Sequence, residues 1–206
     1  MKYLGLTLDS HCTFGAHFER PIPSVEATTN ALGRLLAWLG GPGVGVRRLY
    51  AGVVLAKLLY GAPIWAGDLR ASSRSLRGIR RLHRLVAIRI TRRLRTVSAA
   101  AATVLAGLPP FELQALRCRE IYLRNRGLLG GVEASDAVAV ARARRELLDR
   151  WRAGHDTRTD ASGLWALGAV LPNWDVSFDG GAPPLTYRVT QVLTGHGCFG
   201  EYLRRI

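Results

Sequence analysis

The sequence predicts a mainly α-helical protein with a short β-hairpin or strand at its N-terminus and a loop-rich C-terminal segment. Three observations carry that expectation. Apolar residues recur at helical spacing from Val25 to about Gly127 and again from Asp136 to Arg152. Strand-like alternation is confined to Lys2–Asp9. From Gly154 to Pro184 the composition turns to Gly, Pro, Asp and Trp, which reads as a linker pinned by Trp165 and Trp174.

Taken in order, Lys2–Asp9 sets Tyr3, Leu4, Leu6 and Leu8 among small or polar residues, and Asp9-Ser10 ends the strand. Pro21 and Pro23 punctuate a loop, after which Ser24 caps a helix opening at Val25-Glu26. Val25, Thr28, Thr29, Leu32, Leu35, Leu36 and Leu39 follow helical spacing, and Gly40-Gly41 stops them. A second helix starts at about Val46, with Leu49, Tyr50, Val53, Ala56 and Tyr60 on its apolar face, and ends at Gly61 and Pro63. Tyr3, Trp38, Tyr50, Tyr60 and Trp65 read as core aromatics, Tyr3 being the best candidate for an exception.

The third helix is the most informative. Ser72 or Ser73 caps it, and Leu76, Ile79, His83, Val86 and Ile90 form one apolar seam. Arg74, Arg77, Arg80, Arg81, Arg84, Arg89, Arg92, Arg93 and Arg95 cover the rest. No acid lies between Asp68 and Glu112, whereas a solvated helix face normally mixes signs, so this surface is expected to lack a counter-charge. Ser98 opens an Ala-rich helix ending at Gly107, and Pro109-Pro110 begins another that runs to about Gly127. The helix from Asp136 to Arg152 mixes Arg144, Arg145, Glu146, Asp149 and Arg150 in the ordinary solvated way. Leu185–Leu193 and Gly200–Ile206 suggest two last short helices around Gly195-His196-Gly197.

The charge balance points to a polyanionic partner. The chain has 206 residues, 29 Lys and Arg against 15 Asp and Glu, and a net charge of +14. Only Lys2 and Lys57 are lysine, and arginine's planar fork suits phosphates. A GC-rich gene would account for part of that arginine, but less readily for the excess charge. With 48% hydrophobic residues the chain can bury a core, which excludes a disordered basic tail. An anionic membrane surface fits less well, because the seam of the basic helix is aliphatic and lacks Trp or Phe. Val97–Phe111 is too short and broken to span a bilayer, and Lys57 and Pro63 interrupt Gly52–Gly67. Met1-Lys2-Tyr3 opens no secretory signal, and Cys12, Cys118 and Cys198 make no disulfide framework. A soluble, intracellular protein is expected.

Several kinds of chemistry are missing. Gly40–Gly45 lacks the Lys-Ser/Thr of a phosphate loop and follows a helix, so it reads as a connector. His11, Cys12 and His17, like His196 and Cys198, fall short of a zinc ligand set. No Asp-Asp or Asp-x-Asp pair exists to hold two magnesium ions, so the chain alone is not a polymerase or nuclease.

Lys2-Tyr3-Leu4-Gly5 followed by Asp9 resembles the primer-grip motif of non-LTR (LINE-type) retrotransposon reverse transcriptases. The succession after it is similar too: Leu59-Tyr60-Gly61-Ala62-Pro63-Ile64-Trp65, the Arg-rich helix, then Val104-Leu105-Ala106-Gly107-Leu108-Pro109-Pro110. Leu171-Pro172-Asn173-Trp174, Leu185-Thr186-Tyr187-Arg188 and the stretch from Gly195 to Leu203 resemble the C-terminal linker of those proteins. The likeness spans essentially the whole chain and is nearest the clade that inserts into ribosomal DNA.

The resemblance implies a helical thumb bundle at residues 21–130, a palm-edge primer-grip strand at 1–20, and a C-terminal helix and linker at 131–206. It implies that Tyr3, Leu4 and Gly5 steer the primer end, and that Arg74, Arg77, Arg80, Arg81, Arg84, Arg89, Arg92 and Arg93 hold nucleic acid. The partners implied are RNA, RNA–DNA duplex and the remainder of the polymerase, in cytoplasm and nucleus, with no membrane. No cofactor belongs to this chain, although the parent enzyme would use Mg. The family's catalytic aspartates, zinc knuckle and endonuclease are all absent from this sequence. The end in Arg204-Arg205-Ile206, without a capping or loop residue, fits a piece of something longer. The competing expectation is a non-enzymatic helical adaptor or an exapted nucleic-acid-binding protein.

Overall fold

Leu4 and Gly5 both take positive φ, 44° and 81°, the pairing that a type I′ turn requires. That turn folds β1 (Lys2–Tyr3) back on β2 (Leu6–Thr7) as an antiparallel pair with Tyr3 opposite Leu6. The computed structural model describes residues 1–11, 14–36, 43–69, 72–91, 97–128, 136–156, 164–179 and 186–194. Within these, the two-stranded hairpin accompanies a mainly helical architecture.

The first helices begin earlier than the proline pattern suggests. After α1 (Gly15–Glu19), α2 runs Pro21–Gly33, so Pro21 and Pro23 lie in its first turn rather than in a loop. The first turn of a helix has no use for those amide hydrogens, which is why proline is tolerated there. Ser24 is accordingly inside the helix, its carbonyl accepting from the Thr28 hydroxyl at 3.0 Å, and is not a cap. The helix also ends sooner. The amides of Leu35 and Leu36 bond the carbonyls of Leu32 and Gly33, tightening the chain into a 3₁₀-like turn. Trp38, Leu39 and Gly40-Gly41 lie outside the described residues.

The helix α3 (Val44–Leu58) presents a different face from the expected one. Tyr50, Ala51, Val54, Leu55 and Leu58 are buried, whereas Leu49 is 69% and Val53 44% exposed. Tyr60, expected in the core, is 56% exposed. Val46, Leu49, Val53 and Ala56 thus form an exposed apolar stripe, one helical step round from the buried one. Gly61, at φ 70°, then turns the chain into α4 (Ala62–Trp65). A Cβ on Gly61 would lie 2.6 Å from Leu6 Cδ2, so the hairpin packs where only glycine fits.

The next three helices keep close to expectation. Ser72 accepts from the Ser75 amide at the start of α5 (Ser73–Thr91), and Ser98 caps α6 (Ala99–Ala106) by accepting from Ala101. Gly107, left-handed at φ 65°, ends α6, and Pro110 caps α7 (Phe111–Asn125). Buried Ala100, Ala101, Ala102 and Ala106 let α6 lie close against α5. At the centre, Trp65 meets Phe18 edge-on at 4.9 Å and stacks on Phe111 at 5.9 Å. The Trp65 indole N–H donates to the Tyr60 carbonyl at 2.9 Å, satisfying its one polar atom.

The linker expectation for Gly154–Pro184 gives way to helices among the described residues. The long helix α8 runs Asp136–Asp156, followed by α9 (Leu164–Val170), a 3₁₀ turn at Leu171–Asn173 and α10 (Trp174–Asp179). Gly154, Gly163, Gly168, Pro172, Gly180 and Gly181 give the stretch a loop-like composition, which hides these helices from a reading by composition. Trp151, His155, Trp174 and Phe178 form an aromatic cluster with centroid separations from 4.5 to 6.3 Å. Trp151, Trp174 and Phe178 belong to the same continuous core as Trp65. The last described helix, α11, spans Tyr187–Thr194. Trp165's side chain, Gly195-His196-Gly197, Cys198 and Gly200–Ile206 lie outside the described residues.

Candidate nucleic-acid interface

Helix α5 is the basic element, and its two halves differ. Arg74, Arg77, Arg80 and Arg81 are exposed, while Ile79, Leu82, His83, Val86, Ala87, Ile88 and Ile90 are buried. Arg84 and Arg89 are half-buried and turn toward the protein. Arg84 donates to the Val97 carbonyl at 2.8 Å, and the Arg89 guanidinium lies against Gly33. Arg92, Arg93 and Arg95 lie outside the described residues. The exposed ridge is therefore Arg74, Arg77, Arg80 and Arg81, with Arg84 at its inner margin.

The expectation that this surface lacks a counter-charge is corrected by two ion pairs. Arg80 meets Glu112 of α7 at 2.7 Å, and Arg81 meets Glu26 of α2 at 2.6 Å. An acid-free run in sequence does not count acids that other helices bring alongside. Both guanidinium groups stay largely in solvent, with side chains 63% and 72% exposed. Surface pairs of this kind contribute about 0–1 kcal/mol, so a phosphate can compete for them.

A cleft flanks the ridge on either side. One, of about 650 Å³ against α1 and α2, places Arg74 and Arg81 with Glu19 and Glu26. The other, of about 530 Å³, is walled by α5, α6, α7 and α8, and places Arg80, Arg84 and Arg150 with Glu112. His83 lies in its wall, 5% exposed. Burial holds its pKa down at about 4, against smaller opposing effects of Glu112 and the Pro109 carbonyl. Sequence reasoning passed over Arg150, because a mixed-charge helix gives no sign of which neighbour its arginines face.

The Tyr3-Leu4-Gly5 turn is presented from below. The Tyr60 hydroxyl donates to the Leu4 carbonyl at 2.8 Å, and a Cβ on Gly5 would sit 3.1 Å from the Tyr60 ring. The close approach that Gly5 permits is thus made by Tyr60 of the same chain. Tyr3 and Leu4 stand 58% and 73% exposed. Helix α1 packs on both β2 and α5, so it connects the hairpin to the basic helix. Among the described residues, no three His, Cys, Asp or Glu side chains gather as a metal site. No single helix among them is long and apolar enough to cross a membrane.

The fold and this surface describe a basic, mainly helical protein with an exposed arginine ridge. No family model matches the chain, and no solved structure does. Curated proteins do. The chain is 27% identical, over 98% of its length, to the putative 115 kDa protein in type-1 retrotransposable element R1DM of Drosophila melanogaster. It is 28% and 29% identical, over 100% and 98% of its length, to two retrovirus-related Pol polyproteins from type-1 retrotransposable elements R1 of Nasonia vitripennis. The chain is thus similar, at low identity, to proteins of type-1 retrotransposable elements R1. It spans about a fifth of the Drosophila protein (21%) and about half of the Nasonia polyproteins (54% and 56%).

Proposed function

We propose that this chain is the thumb and adjoining linker of a retrotransposon RNA-directed DNA polymerase of the ribosomal-DNA-inserting clade, binding template–primer without catalysing nucleotide transfer. The observation that carries the reading is the exposed ridge of Arg74, Arg77, Arg80 and Arg81 on one helix of a protein otherwise built around an aliphatic and aromatic core. A ridge of guanidinium groups on a rigid helix suits the regular phosphates of a duplex backbone, independent of sequence. The names of the Nasonia relatives support a polymerase origin. The magnesium of such an enzyme would need a closely spaced aspartate pair, and this sequence contains no Asp-Asp or Asp-x-Asp. The remainder of the polymerase is the protein partner, and the work falls in cytoplasm and nucleus.

Gel shift of the chain with an RNA–DNA hybrid tests this. With about four phosphate contacts, log affinity falls against log salt with a slope of about −3 to −4. Nucleotide incorporation by the purified chain, or a hybrid affinity indifferent to salt, would sink the reading. The exposed stripe of Val46, Leu49 and Val53 favours a second one, a non-enzymatic adaptor for a protein. Replacing Arg74 and Arg77 by Ala leaves the adaptor's function intact and abolishes most of the binding expected of the thumb.

A further inference from the structure

We infer that the cleft between α5 and α8 seats an unpaired nucleotide of the bound nucleic acid, a single-strand site separate from the duplex ridge. The inference rests on the template–primer reading and extends it to a second contact. Charge decides between the two clefts beside the ridge. On the α2 side, Arg74 and Arg81 are balanced by Glu19 and Glu26. On the α8 side, Glu112 is the one acid among the described lining residues, against Arg80 and Arg150 at the surface and Arg84 turned inward, and burial keeps His83 neutral at pH 7. An anion therefore finds a favourable field only in the second.

Shape decides what the anion belongs to. A duplex backbone lies along a convex ridge and cannot enter a recess, whereas about 530 Å³ is the scale of one small ligand. The recess also has an apolar lining, Pro110 and Leu113 of the α7 start facing Ala99 and Ala100 of α6. The exposed guanidinium groups of Arg80 and Arg150 together with an apolar lining match a phosphodiester and the base attached to it. Arg80 belongs to both surfaces, which places the unpaired nucleotide next to the end of the duplex held on the ridge.

Fluorescence anisotropy of the full chain with two labelled ligands tests the site: a blunt RNA–DNA hybrid, and the same hybrid carrying a single-stranded overhang. The wild-type chain is expected to bind the overhang form about tenfold more tightly, the gain of one charge-assisted phosphate contact. Arg150→Ala, an exposed change on α8, is expected to remove that preference and leave blunt-hybrid affinity unchanged. Arg77→Ala is expected to weaken both ligands equally. Equal binding of the two hybrids by the wild type, or an equal effect of Arg150→Ala on both, overturns the single-strand site while the duplex reading stands. Binding of neither hybrid overturns both. A competition arm with a nucleoside monophosphate separates sources: displacement of the overhang at concentrations matching an oligonucleotide assigns the cleft to small anions and overturns the strand site.

Discussion

Arg47 shows how an arginine in this chain can be structural rather than functional. It is 1% exposed, and its Nη1 donates to the Arg89 carbonyl at 2.6 Å, in the last turn of α5. A guanidinium there answers the partial negative charge of the helix C-terminus and ties α3 to the end of the basic helix. Arg47→Met keeps most of the packing but loses the charged donor. It is expected to cost about 2 kcal/mol in a urea titration, while an exposed change such as Arg77→Ala costs less than about 0.5 kcal/mol. His83 adds a pH dependence. Burial lowers its folded pKa to about 4 from 6.5, so the unfolded chain binds the extra proton between those values. The stability this gives is complete above about pH 6.5 and is lost as pH falls toward 4, by an amount on the order of 3 kcal/mol. His17, also lowered by burial, acts in the same direction. Thermal melts of His83→Gln should show a flatter curve across that interval than the wild type.

At the scale of the element, what was legible in the sequence depended on whether the signal was local. Ser72, Ser98, Gly107 and Pro110 mark their helix ends because each acts on backbone groups within a few residues. The seam of α5 was legible because polar residues surround it. By contrast, α3 carries apolar residues on most of its circumference, so periodicity alone could not choose between the Leu49 and Leu58 faces. Packing chose, through the fit of Tyr50, Val54 and Leu58 into the core, with the Tyr50 hydroxyl donating to the Thr29 carbonyl at 3.2 Å. The prolines of α2 were misleading for a related reason, since the same residue breaks a helix or opens one according to position. The eight arginines of the candidate site were legible as a run, but not which of them face inward. Paired substitutions read the face directly. Leu58→Ala is expected to cost about 2–5 kcal/mol and Leu49→Gln within about 0.5 kcal/mol, compared by chemical denaturation.

For the whole molecule, the aromatic cluster of Trp151, Trp174 and Phe178 joins the C-terminal helices to the core that contains Trp65. One continuous core predicts one cooperative transition. Trp174→Ala, at a site 2% exposed, should cost about 3–5 kcal/mol. It should lower the melting temperatures seen by far-UV circular dichroism and by tryptophan fluorescence together; a fluorescence transition that moves alone would mean two separately folding parts. The hairpin turn behaves differently from that core. Leu4 holds a left-handed φ of 44° with its side chain 73% exposed, so it contributes little packing in return for the strain. Leu4→Asn is expected to raise stability by up to about 1 kcal/mol in the same melts, since asparagine accepts that backbone readily. The consequence reaches beyond one protein to the copies of its gene. On the proposed template–primer reading, only contact with nucleic acid keeps leucine at position 4; without that contact the position is free to drift toward Asn, Asp or Gly, the residues the backbone itself prefers. A persistent leucine across active lineages, beside drift in silent ones, would record selection acting on a side chain that the fold alone would discard.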